Sequence, residues 1–457
     1  MSFASQRFHL VGVGGSGMSG LARMLLGSGA DLSGSDAEGG EVVDSLTIQT
    51  DDIWVGCQPD RIRGQDGYVI RSAAVSARDP EVQECVRRGF TSLLYAEAVG
   101  RLSEGRRTLA IAGTHGKTTT TGLTVAALRA AHRDPAHLIG GEVPEFDGNG
   151  YGGSSPEFVV EACEFNRSFH NLRPYGAAIL NLDDDHFDCY PSSEDLVDAF
   201  AGYLARIRPG GVALVEESVP RAVLTSLRSD VRILTVGAGL WADIRATSVE
   251  EDHGHYSFRP QIEGIKLPQV RMRMAGRHNM ENALFALGLA HVVSADLTAA
   301  CRGIAEFQGV NRRFEVRYGA EGGVLISDYA HHPVEIRAVL STARQRYPDR
   351  RVVVAFQPHQ HQRTLVLLPQ FAEVLASADA SLVADIYGAR ESQEIQSKVC
   401  ADDLVRATRE LGGDCQPGGR VGELPGRLAE VRRDDDLVLL LGAGDIDQAL
   451  EGILATL

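Results

Sequence analysis

The sequence predicts an α/β protein of three domains in series, each with a mostly parallel sheet. Three observations carry that prediction. The chain is 457 residues long, which exceeds what one ordinary core accommodates. Two apolar segments, one at the start and one well inside the chain, each run into a glycine turn and then a helical pattern. The final third alternates apolar runs with helical patterns, the rhythm of a parallel sheet with helices on both faces. Polar, glycine-bearing links divide the chain into residues 1–103, 104–308 and 309–457.

The first segment opens with an apolar strand over 8–13, followed by Gly12-Val13-Gly14-Gly15-Ser16-Gly17 and a helix over 18–26. A second strand near 31–34 ends in Ser35-Asp36. Glycines at this spacing let a backbone approach a diphosphate at a helix N-terminus. Asp36 stands where an acid that binds a ribose is expected, about 20 residues on. NAD and a UDP-sugar satisfy this pattern equally. Gly15 and the following Met18-Ser19-Gly20 lean away from a standard dehydrogenase.

The second segment begins with apolar residues 109–112, then Gly113-Thr114-His115-Gly116-Lys117-Thr118-Thr119-Thr120, then a helix over 118–131. Strand, glycine turn, Lys-Thr and helix is the order in which backbone amides surround a phosphate. Lys117 neutralises outer phosphates in such a loop, and Thr118 offers a hydroxyl to magnesium. The match to GxxxxGK[ST] is imperfect, since Ile111 occupies the first glycine position. Further strands are expected over 158–162, 177–181 and 212–216, antiparallel strands within 244–274, and a helix over 279–293. Glu161 and His186 follow two of these strands. Ligands bind at the carboxyl edge of open α/β sheets. If the strands lie in one parallel sheet, Thr118, Glu161 and His186 converge there on a triphosphate and its metal. Cys163 and Cys189 beside them raise a zinc site as an alternative.

The third segment places strands over 324–328, 352–356, 381–386 and 437–441. Each is followed by polar residues: Asp328, Tyr329, His331 and His332; Gln357, His359 and Arg363; Tyr387, Arg390 and Glu391; and Gly442-Ala443-Gly444. Successive strand ends of this kind mark a site. Arg312-Arg313, at the junction, could reach phosphate.

Bulk properties narrow the function. A net charge of −16 argues against a general nucleic-acid binder. No apolar run approaches a membrane span and no signal-peptide core precedes the first glycine turn, so a cytoplasmic protein is expected. Seven scattered cysteines without CxxC spacing argue against a disulfide scaffold or zinc ribbon.

Taken together, the loop 113–120, the Asn181…Asp185-His186 segment, Gly276-Arg277-His278-Asn279-Met280-Glu281-Asn282 and Arg312-Arg313-Phe314-Glu315 resemble the Mur ligases, the ATP-dependent amide-forming enzymes of peptidoglycan assembly. Within that family, the turn at 12–20, Asp328-Tyr329-Ala330-His331-His332-Pro333, Phe356-Gln357-Pro358-His359, Arg363-Thr364 and Tyr387-Gly388-Ala389-Arg390-Glu391 are most similar to the alanine-adding branch. The resemblance runs the length of the chain. It implies a Rossmann-like N-terminal domain for the UDP-sugar, a central P-loop ATPase-like domain, and a Rossmann-like C-terminal domain that binds the amino acid and closes over ATP.

It also implies the reaction: ligation of L-alanine to the lactyl carboxylate of UDP-N-acetylmuramate through an acyl phosphate, by a monomer or homodimer without nucleic acid or membrane insertion. Implied cofactors are ATP and Mg2+, with Mn2+ as a stand-in. Lys117, Glu161, His186, Arg313 and Asp328 are implied in catalysis, and Thr118, Glu161 and His186 as metal ligands. Gly113, Thr114, His115, Gly116, Lys117, Thr118, Thr119, His278, Asn279 and Asn282 are implied for ATP. Gly14, Gly15, Ser16, Gly17, Met18, Ser19, Asp36 and Ser72 are implied for the UDP-sugar, and Tyr329, His331, His359 and Arg363 for the amino acid. The chain departs from the family at Cys57, Cys163 and Asn166, where histidine and two acids are usual. A sibling ligase that attaches a preformed peptide would share the ATP site and differ in the other two.

Overall fold

The structure is a computed structural model that describes residues 6–183, 185, 189–190, 192–319, 323–389 and 391–457. His186 and Arg390 lie outside the described residues. Among the described residues the strands form sheets of five, eleven and six strands.

The first sheet is wholly parallel, ordered Ile53–Val55, Asp31–Asp36, Arg7–Val11, Gly67–Arg71, Phe90–Leu94. Chain order reverses direction on either side of Arg7–Val11. The crevice at such a switch point is where ligands of open sheets sit, and the glycine turn occupies it. The helix Ser16–Gly27 starts there and buries Met18, Leu21, Met24 and Leu25 against the sheet.

In the second sheet the phosphate-loop strand Arg107–Ala112 lies between Gly176–Ile179 and Glu157–Glu161, parallel to both. Register pairs Ala112 with Ile179 and Ile111 with Glu161, so these three strands end together. The stretch Ile244–Ala275 supplies antiparallel strands at one edge, as its alternating pattern predicts. At the other, Ala136–Val143 and Gly148–Tyr151 form a hairpin-like antiparallel pair.

The helix Lys117–Ala130 is sheathed on all sides, with Thr118 through Leu128 buried. Two of its buried hydroxyls find backbone acceptors one turn back: Thr121 Oγ1 donates to Lys117 O at 2.8 Å and Thr124 Oγ1 to Thr120 O at 2.7 Å.

The third sheet runs Glu315–Tyr318, Val324–Asp328, Leu437–Leu441, Val352–Phe356, Ala380–Ala384, Cys415–Gly419, parallel except for the first strand. Its four central strands are buried at every position, the expected consequence of helices on both faces. The link into this sheet carries left-handed backbone at two non-glycine residues, Arg312 (φ 57°) and Phe314 (φ 51°). Such conformations persist only where surroundings impose them. No helix among the described residues is long and apolar enough to cross a membrane.

Candidate active site

The phosphate loop is shaped by a glycine and an asparagine. Gly116 precedes the helix with φ 81°, and a Cβ there would lie 2.6 Å from Asn282 Oδ1. Only glycine meets both demands. Asn181, one strand over, accepts from His115 N at 2.8 Å and donates to His115 O at 3.1 Å. The Thr114 hydroxyl accepts from Asp183 N at 2.9 Å. The Asn181–Asp183 segment therefore clamps the loop.

Lys117 folds back over the loop. Its Nζ donates to Gly113 O (2.6 Å), Thr114 O (3.0 Å) and Glu164 Oε1 (2.9 Å). Burial alone would lower its pKa, but Glu164, then Cys163 and Glu161, outweigh it, and the ammonium is held above its ordinary value. Glu164 is a residue that sequence reasoning missed as functional. Its signal was present, three positions after Glu161 in the turn that follows the strand.

Glu161 ends its strand with Oε2 accepting from Thr118 Oγ1 at 3.0 Å and Gly140 N at 2.9 Å. A carboxylate and a hydroxyl side by side at the mouth of a phosphate loop are hard oxygen donors of the kind Mg2+ takes, with waters and phosphate completing its shell. The donor set fits that ion, with His186 outside the described residues. No group of three or more His, Cys, Asp or Glu able to hold a metal is found among the described residues. Cys189, raised as a zinc ligand, donates its thiol to Asn166 Oδ1 at 3.4 Å.

A cavity of about 670 Å³ opens between the second and third sheets. His115, Gly116, Thr119 and Asn181 line one end, and Tyr256, Leu284 and Phe285 give it an apolar wall. His278, Asn279, Asn282, Arg313 and Asp328 line it too. Polar phosphate loop at one end and apolar wall at the other suit a nucleotide. Burial, with Arg313 adding to it, pulls His278 down to about 4, so its imidazole is neutral. Asn279 Nδ2 donates to Ala275 O at 2.7 Å and Asn282 Nδ2 to Asn279 Oδ1 at 3.3 Å, which fixes both amides.

Asp328 faces this cavity but is spent on the link: Oδ2 accepts from Phe314 N at 2.7 Å and Oδ1 from Ala330 N at 2.8 Å. Burial pushes its carboxyl up to about 6 against the pull of Arg313. Arg313 lies over the Tyr329 ring, 5.1 Å from its centre. Asp328 thus pins the left-handed link that carries Arg313 into the cavity.

Two polar contacts join the third domain to the loop region. His115 Nδ1 lies 3.1 Å from Glu335 Oε1, and its Nε2 3.1 Å from Asp183 Oδ2. Burial opposes the imidazolium, yet these two carboxylates overcome it and push His115 up to about 9. Glu335 in turn caps its helix by accepting from the amides of His331 (3.0 Å) and His332 (3.2 Å). Second, Arg363 Nε and Nη2 reach Asp185 Oδ1 at 2.8 and 2.7 Å, both groups buried. Glu335 was another residue not singled out from sequence; its signal is the capping position three residues after His332.

The rings of the proposed amino-acid residues lie in contact with one another. Tyr329 and His331 meet edge-on (5.5 Å), as do His331 and His359 (5.9 Å), and His359 stacks on Tyr387 (5.5 Å). Arg363 Nη1 donates to His359 O at 3.1 Å. Burial lowers His331 to about 4 despite nearby Glu335.

In the first domain, Gly14 N donates to Asp36 Oδ2 at 2.7 Å, and a Cβ on Gly12 would lie 2.9 Å from Ser72 Oγ. Asp36 and Ser72 therefore brace the turn from either side. Ser16 Oγ donates to Gly140 O at 2.9 Å. Met18 is buried in the core, and Ser19 Oγ donates back to Ser16 O at 3.0 Å. Those two side chains hold the helix, while Gly14 to Gly17 present its N-terminus.

Known proteins share this arrangement. Sequence models of the "Mur ligase family, catalytic domain", the "Mur ligase middle domain" and the "Mur ligase, glutamate ligase domain" match residues 7–107, 111–290 and 312–444. The chain is 38% identical over 450 residues to the UDP-N-acetylmuramate–L-alanine ligase of Halorhodospira halophila, covering 96% of this chain and 91% of that one. It is 36% identical to the enzyme of the same name from Trichlorobacter lovleyi, covering 99% of each. Among solved structures, the UDP-N-acetylmuramate-alanine ligase of Thermotoga maritima aligns over 98% of both chains with a TM-score of 0.79 and 25% identity. A murein peptide ligase from Psychrobacter arcticus shares the fold, with a TM-score of 0.74 at 22% identity over 99% of both chains. A phosphate loop set between a glycine-turn domain and a closing third domain, matched in order along the whole chain, places this protein in the Mur ligase family of ATP-dependent ligases.

Proposed function

We propose that this protein joins L-alanine to the lactyl carboxylate of UDP-N-acetylmuramate, with ATP cleaved to ADP and phosphate, as a step in peptidoglycan precursor synthesis. Near-full-length identity to ligases of that name supports the reading. One structural observation carries it: the hydrogen-bonded run Ser16–Gly140–Glu161–Thr118, which links the glycine turn of the first domain to the phosphate loop of the second. A sugar nucleotide whose diphosphate sits at the turn is thereby directed toward the end of the triphosphate.

In the first step a lactyl oxygen attacks the γ-phosphorus of ATP, the bond to the β,γ-bridging oxygen breaks, and ADP leaves. The alanine nitrogen, having lost a proton, then attacks the acyl carbon, and the acyl C–O bond breaks to release phosphate. An anion attacking an anion is the electrostatic difficulty. Lys117 and the amides at the helix N-terminus offset it at the phosphates, and Arg313 adds charge from the closing side. Thr118, Glu161 and His186 would hold Mg2+, which would supply positive charge at the phosphates. His278, Asn279 and Asn282 hold the adenosine end. Tyr329, His331 and His359 form the alanine pocket, and Arg363 holds it in place through Asp185 and the His359 carbonyl. No enzyme nucleophile is required, so positioning carries much of the rate.

The test is phosphate release from ATP in the presence of UDP-N-acetylmuramate and L-alanine, singly and together. Release that requires both is the expected result. Release with neither, or none with both, rejects the proposal, and release with a preformed peptide in place of alanine assigns the sibling activity.

A further inference from the structure

Tyr95 follows the strand Phe90–Leu94, whose parallel pairing with Gly67–Arg71 brings its end to the same edge as the glycine turn. The ring lies against the first turn of the helix that the glycine turn opens. A Cβ on Gly17 would be 2.9 Å from Tyr95 Cζ and 3.0 Å from its hydroxyl oxygen. Tyr95 also opens the helix Tyr95–Ser103, which packs on the central domain beyond Glu161, with Gly100 approaching Asn171 O so closely that a Cβ would come within 2.6 Å. The phenol therefore stands where the first and second domains meet, against the turn that Ser16 and Gly140 connect to Glu161. A phenol with its ordinary pKa of about 10 keeps its proton near neutral pH, so the hydroxyl is a donor. Among the described residues no group accepts that proton.

A neutral donor set between a diphosphate-binding turn and a phosphate loop faces the span that the muramyl group must cross. The group in that span that needs a donor is the lactyl carboxylate. A phenol can hold it without adding a fixed charge beside Glu161. Resting on the function proposed above, we propose that Tyr95 binds the lactyl carboxylate of UDP-N-acetylmuramate through its phenolic hydroxyl and so aligns the attacking oxygen with the γ-phosphate.

Tyr95→Phe keeps the ring that packs on Gly17 and removes only the donor. The measurement is calorimetric binding of two sugar nucleotides to the intact protein and the variant: UDP-N-acetylmuramate, and UDP-N-acetylglucosamine, which lacks the lactyl group. A hydrogen bond to a charged group corresponds to about a ten- to hundredfold change in affinity. The variant should lose roughly that much for UDP-N-acetylmuramate and bind UDP-N-acetylglucosamine as the intact protein does. In turnover, KM for UDP-N-acetylmuramate should rise while KM for ATP and L-alanine stay unchanged. A variant that keeps the intact protein's preference for the lactyl sugar overturns the role of Tyr95 and leaves the function standing. Equal weakening for both nucleotides assigns the contact to the diphosphate or sugar and overturns it too. An intact protein that binds neither nucleotide overturns both this proposal and the function on which it rests.

Discussion

Replacing Lys117 with alanine should have two separable consequences, one chemical and one structural. The ammonium sits at the phosphate loop, 2.9 Å from Glu164, whose side chain is 3% exposed. Its removal takes away the charge proposed to act on the transferring phosphate, and loss of one such group typically costs about a hundredfold to a thousandfold in turnover. It also leaves a buried carboxylate without its cation. Breaking a buried ion pair from one side costs about 3–5 kcal/mol, which lowers the melting temperature by roughly 6–20 °C for a domain of about 200 residues. The double variant Lys117→Met, Glu164→Gln removes both charges, so it should recover most of that melting loss and none of the activity. Phosphate release and scanning calorimetry on the two variants separate the effects. Turnover within tenfold of the intact protein in Lys117→Ala would falsify the assignment of the loop. Equal melting temperatures for the single and double variants would show that Glu164 does not depend on this lysine.

Other perturbations test other parts of the site. Glu161→Gln keeps a side-chain oxygen for Thr118 and Gly140 but removes the charge, so turnover should fall at least about a hundredfold and the Mg2+ concentration for half-maximal rate should rise; an unchanged Mg2+ response refutes the ligand assignment. His115 has a folded pKa of about 9, raised above the ordinary 6.5. Its contribution is therefore fully present below pH 6.5 and is lost as pH rises through about 9, a span worth up to about 3 kcal/mol. Thermal unfolding between pH 7 and 9.5 should show this alkaline loss, and His115→Gln should flatten it. Arg363→Lys cannot reproduce the contacts of Nε and Nη2 with Asp185, so KM for L-alanine should rise about tenfold or more while KM for the sugar nucleotide holds; the reverse pattern places Arg363 elsewhere.

What could be read from the sequence follows from what each element needs from its residues. The strands Val212–Glu216, Val324–Asp328, Val352–Phe356 and Leu437–Leu441 were expected at those bounds. They are central and covered on both faces, so nearly every position must be apolar. The strand Cys415–Gly419 escaped notice because it lies at a sheet edge, where a proline and two glycines are tolerated. Ala136–Val143 escaped for a related reason, its course broken by Gly140 and Gly141.

The site divides along the same line. Polar side chains beside the ends of strands and the starts of helices, such as Glu161 at a strand end, Thr118 in the first turn of a helix and Arg313 in the link, announce themselves by type and position. Asp36 and Asp328 were legible as important, yet the sequence could not distinguish a residue that touches a ligand from one that holds the turn or link that does. In the structure Asp36 holds Gly14 and Asp328 holds Phe314. Contacts made by backbone were not legible at all. Gly140 joins the first domain to Glu161 through its carbonyl and its amide, groups that almost every residue possesses. What singles it out is the absence of a side chain, since a Cβ there would lie 2.4 Å from Glu161 Oε2. Even conservative substitution at Gly140 must therefore displace the very carboxylate proposed to hold the metal, although nothing in the residue type proclaims a role in catalysis.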